Sequence, residues 1–297
     1  MKLSFPSLFR LMLLTTLFAL APKAEAIEWP KRFVILERSN SPDGLYRVLI
    51  PSREAAVEDG VNPNYLVNIK EHRILGELGG SYSEGGNHRG MSVSWSSDSK
   101  WCVIEYDARF GFETISIIEP STQSFTKTEI GTDISKALND VIAKQSHGEE
   151  KTGEANPHFR LSADRKLRVR ALSTTNPKAL SDRRSFYALF QGTFDLNSKS
   201  WKVTDARAIS PEEEIDLESA YSGNESSLSS EEDKAKYLDE RMNEVYRAVR
   251  VVLPAKRFAE IKQDQHTWLR NRDAEPSIKQ RCTMMEARIK ALQDLLW

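Results

Sequence analysis

The sequence predicts an α+β chain, with N-terminal antiparallel β repeats arranged as three blade-like four-stranded meanders, followed by a small C-terminal three-helix module. Three observations predict it. Apolar and polar residues alternate with period two between turn residues through the first two-thirds of the 297 residues. A Ser-x-Asp turn recurs three times at equivalent places. Beyond residue 233 the apolar period becomes helical.

The repeats begin at "SPDGLYRVLI" (Ser41), "SSDSKWCVIE" (Ser96) and "SADRKLRVRA" (Ser162), which align Asp43, Asp98 and Asp164, and likewise Val48, Val103 and Val169. An Asp side chain accepts hydrogen bonds from backbone N–H groups just ahead, which suits a tight turn. A strand precedes each turn: Phe33–Glu37, Met91–Trp95 and His158–Leu161. A hairpin follows each: Tyr65–Lys70 with Arg73–Leu78, Thr114–Glu119 with Ser124–Ile130, and Phe186–Leu196 with Trp201–Ile209. Four antiparallel strands per repeat make an incomplete propeller-like array, because closed propellers have four to eight blades. Either a blade is hidden, or the sheets pack without closing, or two chains complete a ring. The same turns also suit a plain antiparallel β domain.

The organisation read from the chain is a leader over 1–26, a β-repeat domain over 27–210 with a helical insert near 132–146, an acidic linker over 211–233, and a helical domain over 234–297. The insert places Ile134, Leu138, Val141 and Ile142 on one helix face, and the polar stretch after it reads as a loop. The linker carries nine Asp or Glu and no Lys or Arg, which reads as a partly flexible bridge that attracts a basic protein or only solvates itself. Ser229 and Ser230 are caps for the first helix, whose stripe is Leu238, Met242, Val245 and Val249. Pro254 breaks it, and the second helix, with Phe258, Ile261, Gln265, Trp268 and Arg272 on one face, stops before Pro276. Ile278, Cys282, Met285, Ile289, Leu292 and Leu296 mark the third.

The leader has Lys2 and Arg10, an apolar run from Leu11 to Leu20 and the small-x-small site Ala24-Glu25-Ala26, as in a secretory signal peptide. The expected location is therefore periplasmic or secreted, with no membrane association after removal of the signal, since no later stretch is apolar enough to span. The formal net charge of −1 excludes the basic surface of a nucleic-acid binder. Cys102 and Cys282 are the two cysteines, a possible disulfide in an oxidising compartment. Because Arg47 and Arg168 align with Cys102, that cysteine is expected on a more accessible side than Val103.

Asn243, Tyr246, Gln265, Trp268, Arg272, Asp273, Cys282, Arg288 and Leu292 stand at a spacing that resembles the LprI lysozyme-inhibitor family over roughly residues 237–296. Most of these are expected to be structural, with Trp268 and Arg272 also fit for a protein interface. Two features depart from the family pattern. "RDAEP" puts Pro276 where the family carries a cysteine, and the loop before Cys282 is short, so the intradomain disulfide that the resemblance implies lacks one partner. A looser resemblance links Ser41-Pro42-Asp43-Gly44 to blades of TolB-type β-propellers.

Catalytic signatures are sparse. His72, His88, His147, His158 and His266 lack metal-ligand spacing, no Gly-x-Ser-x-Gly occurs, and the Gly-rich stretch Gly79–Gly90 lacks the Lys-Ser/Thr of a phosphate loop, although His88 and Arg89 at its tip suit a ligand contact. The expectation is a non-enzyme without cofactor or metal. The LprI resemblance implies binding and blocking of lysozyme; the alternative is a cell-envelope protein-binding or scaffold protein whose β-repeat domain holds the partner. A hydrolase hidden in the β region is the third reading. The sequence sets no oligomeric state.

Overall fold

The computed structural model describes residues 32–59, 63–80, 82–87, 89–109, 111–175, 184–221 and 230–297. The segment expected to be a leader, His88 and Ser229 lie outside the described residues. Among the described residues twelve strands form three four-stranded antiparallel sheets, each in simple chain order. The first holds β1 (Phe33–Ile35), β2 (Tyr46–Pro51), β3 (Tyr65–Asn68) and β4 (Arg73–Glu77). The middle sheet holds β5 (Gly90–Trp95), β6 (Cys102–Asp107), β7 (Phe112–Pro120) and β8 (Phe125–Glu129). The third holds β9 (Glu154–Ser162), β10 (Lys166–Thr174), β11 (Tyr187–Asp195) and β12 (Ser200–Ile209). Six helices complete the described fold: α1 (Arg53–Asp59), α2 (Gly131–Gln145), α3 (Pro211–Ser219), α4 (Glu231–Val252), α5 (Ala255–Asp273) and α6 (Ile278–Leu295).

The three aligned turns share one hydrogen-bond pattern. Ser41 Oγ donates to Asp43 (2.5 Å), Ser96 Oγ to Asp98 (2.7 Å), and Ser162 Oγ to Asp164. The fourth turn position is left-handed in every copy: Gly44 (φ 72°), Ser99 (φ 60°) and Arg165 (φ 61°). Glycine adopts this conformation freely, whereas an L side chain is strained there by about 1–2 kcal/mol. The two strained side chains have work that glycine cannot do. Ser99 Oγ accepts from the Asp43 amide of the first turn (3.0 Å), and the Arg165 guanidinium pairs with Glu119 on β7. The middle and third sheets are thereby each tied to the preceding one at the turn.

The middle sheet is buried on both faces. Cys102, Ile104, Tyr106 and Ile118 pack on Val48, Ile50, Leu66 and Leu75 of the first sheet. On the other face Trp101, Val103, Ile115 and Ile117 pack with α2 residues Ile134, Leu138 and Ile142 and with Leu167, Val169, Ala171 and Phe190 of the third sheet. Val48 thus faces the middle sheet, Val103 faces the third, and Val169 faces back toward the middle. The third sheet is turned over relative to a propeller stack, with α2 wedged between equivalent faces, and the sheets pack without closing. The α2 stripe needs cover on both sides, and Trp201 Nε1 donating to Asp133 (3.0 Å) fixes the helix against β12.

Several expectations change. Cys102 is not on an accessible side. The face it shares with Ile104 is covered by the first sheet, whereas Arg47 points away from Val48 on that sheet, and Arg168 reaches the Trp297 carbonyl (3.2 Å). No disulfide joins Cys102 and Cys282: both are free and buried, in separate clusters. Strand β9 begins at Glu154, within the expected loop, and accommodates Pro157 because it is the sheet edge. Part of the acidic stretch is helical. Ser210 and Glu213 form a reciprocal capping box with Pro211 behind it, and Pro211–Ser219 is helix α3. Buried Asp216 pairs with Arg247 (2.9 Å) and Arg250 (3.2 Å) of α4, which neutralises part of the acidic charge locally.

The outward face of the third sheet carries Leu172 and Leu189, which with Ile209 share one core with Leu217, Leu238, Met242, Val245, Val249, Met285 and Leu292 of the helices. Among the described residues no helix is long and apolar enough to cross a membrane.

Burial also holds the Cys102 thiol well above its usual pKa. A thiol reagent at pH 8 is expected to leave both cysteines unmodified in the native protein and to label two thiols per chain in denaturant, read by mass spectrometry.

Candidate functional site

The motif residues of the helical region gather where α4, α5 and α6 meet. Gln265 is the buried residue of α5; its Oε1 accepts from Arg288 Nε of α6 (2.7 Å), and its Nε2 lies 3.5 Å from Met242 Sδ of α4. Arg288 also pairs with Asp264 (2.7 Å). The Trp268 ring is flanked by the guanidinium carbons of Arg272 (5.7 Å) and Arg288 (5.8 Å), within cation–π range. Arg272 bridges Asp273 (2.8 Å from Nε) and Asp239 of α4. Tyr246 packs on Phe258 with ring centroids 5.3 Å apart, and Cys282 and Leu292 lie in the helical core.

Helix α5 is thus held less by apolar burial than by planar groups with fixed partners: an amide, two guanidinium forks and an indole. Phe258, Ile261 and Trp268 are only half-buried. Most motif residues are turned inward or paired, and the arginines that suit an interface are already engaged. Asn243, exposed on α4, has no side-chain hydrogen bond among the described residues.

The other chemistry-bearing groups are dispersed. Arg89 lies 3.8 Å from Glu113. His158 stacks on Tyr221 at 3.7 Å between centroids, with Nε2 3.7 Å from Glu218. No group of three or more His, Cys, Asp or Glu able to hold a metal occurs among the described residues. One titratable pair was not anticipated. Glu105 and Asp107 project from the same face of β6, and burial together with the Asp107 charge pushes Glu105 up to about 8, while burial raises Asp107 as well. Alternation along β6 was visible in the sequence, but the coverage that desolvates this pair comes from the packed sheets.

Two outcomes follow. Arg288→Ala leaves the Gln265 amide buried without its charged donor and is expected to destabilise the protein by about 2 kcal/mol in urea unfolding. For Glu105, the folded state keeps a proton that the unfolded chain releases above the ordinary value of 4.5. Stability therefore falls as pH rises from that value toward about 8 and levels beyond it. Glu105→Gln is expected to flatten this decline in thermal melts taken between pH 5 and 8.

No curated protein matches the chain. The helical region does have a match, and it covers the segment in which Asn243, Gln265, Trp268, Arg272, Cys282 and Arg288 carry the motif. Residues 219–292 match the family model described as Lysozyme inhibitor LprI.

Proposed function

We propose that the protein is a periplasmic or secreted, non-catalytic inhibitor that binds lysozyme through its helical region. The match of residues 219–292 to the lysozyme-inhibitor family carries this reading. The motif network supports it as a scaffold, since Gln265, Trp268, Arg272 and Arg288 fix α5 against α4 and α6 and leave a rigid outer surface for a partner. Lysozyme cleaves glycan with two carboxyl groups in a cleft. An inhibitor has to fill that cleft and satisfy those groups, and a guanidinium or backbone N–H suits the task. Arg272 and Arg288 are committed internally, so the inserted group belongs to another part of the surface. Helix α3 supplies attraction: exposed Glu212 and half-buried Glu214 precede Ile215, which is 60% exposed, a combination suited to a basic partner.

The second reading, a scaffold whose β region holds the partner, is supported by the long edge strand β12, where Val203 is 52% exposed. Deletion of the helices does not separate the two readings cleanly. Leu172 and Leu189 share their core with α4 and α6, so truncation uncovers the third sheet.

The test is hydrolysis of cell-wall substrate by several lysozyme types with increasing purified protein. Saturable inhibition is expected, and Glu212→Lys with Glu214→Lys is expected to slow association about tenfold or more at low salt, with a smaller effect at high salt. Absence of inhibition at large excess against every type rejects the lysozyme reading. Inhibition that survives the α3 changes but is lost on Val203→Arg assigns the partner to the β region.

A further inference from the structure

A cleft that no part of the lysozyme reading uses runs between α4 and α6 past Tyr221 and on to the edge strand β9. It consists of two adjoining cavities of about 510 and 400 Å³ that share Tyr221, Lys290 and Gln293. These volumes are in the range of small-molecule sites. Four aromatic side chains line it: Tyr237 from α4, Phe159 from β9, Trp297 after α6, and Tyr221 after α3. Tyr221 is fixed on three sides. Its ring stacks on His158, Trp297 meets it edge-on at 6.0 Å, and its hydroxyl accepts from Arg170.

The electrostatics of the cleft are unbalanced. The two carboxylates that line it are matched, Glu286 by Lys234 (2.7 Å) and Asp294 by Arg160 (2.8 Å). The cations include two without such a match. Arg170 lies directly behind Tyr221 and Trp297, fully buried, with its guanidinium carbon 5.4 Å from the Trp297 ring centroid. It donates to the Leu296 carbonyl and the Tyr221 hydroxyl, its Nε has no partner, and no carboxylate pairs with it among the described residues. Arginine keeps its charge even when buried, so Arg170 contributes positive potential beside the cleft, against the nearby charges of Asp205 and, next to Tyr221, Glu218. Lys290 stands exposed at the junction of the two cavities and likewise has no ion-pair partner among the described residues. The Gln293 amide and the Tyr237 hydroxyl, also without side-chain hydrogen bonds among the described residues, face the same space.

We propose that this cleft binds a carboxylate-bearing sugar, with Lys290 on the carboxylate, Gln293 and Tyr237 on hydroxyl or amide groups, and Tyr221 and Trp297 against the ring. The apolar C–H face of a pyranose suits an aromatic wall, and its polar edge suits an ammonium, an amide and a phenol placed around that wall. A purely apolar ligand leaves these polar groups unsatisfied, and a cationic one meets Arg170 and Lys290. The site stands independently of lysozyme inhibition and holds or fails without it.

Isothermal titration calorimetry of the purified protein with N-acetylmuramic acid, glucuronic acid and neutral N-acetylglucosamine tests it. At least one carboxylated sugar is expected to bind about tenfold more tightly than the neutral one, and Lys290→Ala is expected to remove about tenfold of that affinity, as befits a charge-assisted hydrogen bond. Lys290 is exposed, so the variant is expected to keep its fold, checked by an unchanged melting temperature. Preference between the two acids tells an ether-linked side-chain carboxylate from one attached to the ring. No binding of either acid up to its solubility, equal binding of the neutral sugar, or full affinity in Lys290→Ala overturns the proposal.

Discussion

Burial of both faces of the third sheet is the constraint on which the rest of the structure depends. One face, through Leu167, Val169 and Phe190, closes on α2 and the middle sheet; the other, through Leu172 and Leu189, closes on the helices. A sheet with two apolar faces needs two covers, because apolar area left in water costs about 25 cal/mol per Å². Chain order alone suggests a β region and a helical region joined by a linker. The packing joins them into one body at this sheet, with helix α3 laid into the seam through Leu217 and the Asp216 pairs.

The same seam holds a buried cation, Arg170, with no ion-pair partner among the described residues. A buried arginine that meets carbonyl, phenol and indole groups, with a carboxylate, Asp205, acting only at a distance, costs desolvation that hydrogen bonds only partly offset. Stability by itself does not favour such an arrangement over an apolar residue of similar size. What it does provide is a positive potential beside an aromatic cleft, and a fixed position for Tyr221 between His158 and Trp297. The turns show a related trade. Ser99 and Arg165 accept left-handed strain where Gly44 has none, and in return their side chains tie the middle and third sheets each to the preceding one.

In the helical region the motif gains a physical meaning. Gln265, Arg288, Trp268, Arg272 and Asp239 form a continuous set of directional contacts that positions α5, a helix with little apolar burial of its own. Pro276 stands where the resemblance calls for a cysteine, and the helix pair is held by this network, with Cys282 free in the core. A disulfide is therefore not the clamp in this chain; planar hydrogen-bonding groups fill that role.

The sequence by itself determined the local elements. Alternation set the strands, Ser-x-Asp set the three turns, the Ile134/Leu138/Ile142 stripe set α2, and Pro254 and Pro276 bounded α5, because each of these depends on backbone preferences within a few residues. The motif spacing was also legible, since residues three and four apart share a helix face. Helix α3 was readable too, from the Ser210–Glu213 capping box and Pro211, but the run of acids around it read as a linker. Tertiary structure alone decided how the sheets turn relative to one another, that Cys102 is covered from the far side, that Glu105 is desolvated, and that Arg170 meets Leu296 and Trp297 more than a hundred residues away in sequence. These outcomes depend on which faces find each other, and period-two alternation says that a strand has two faces without saying what covers either.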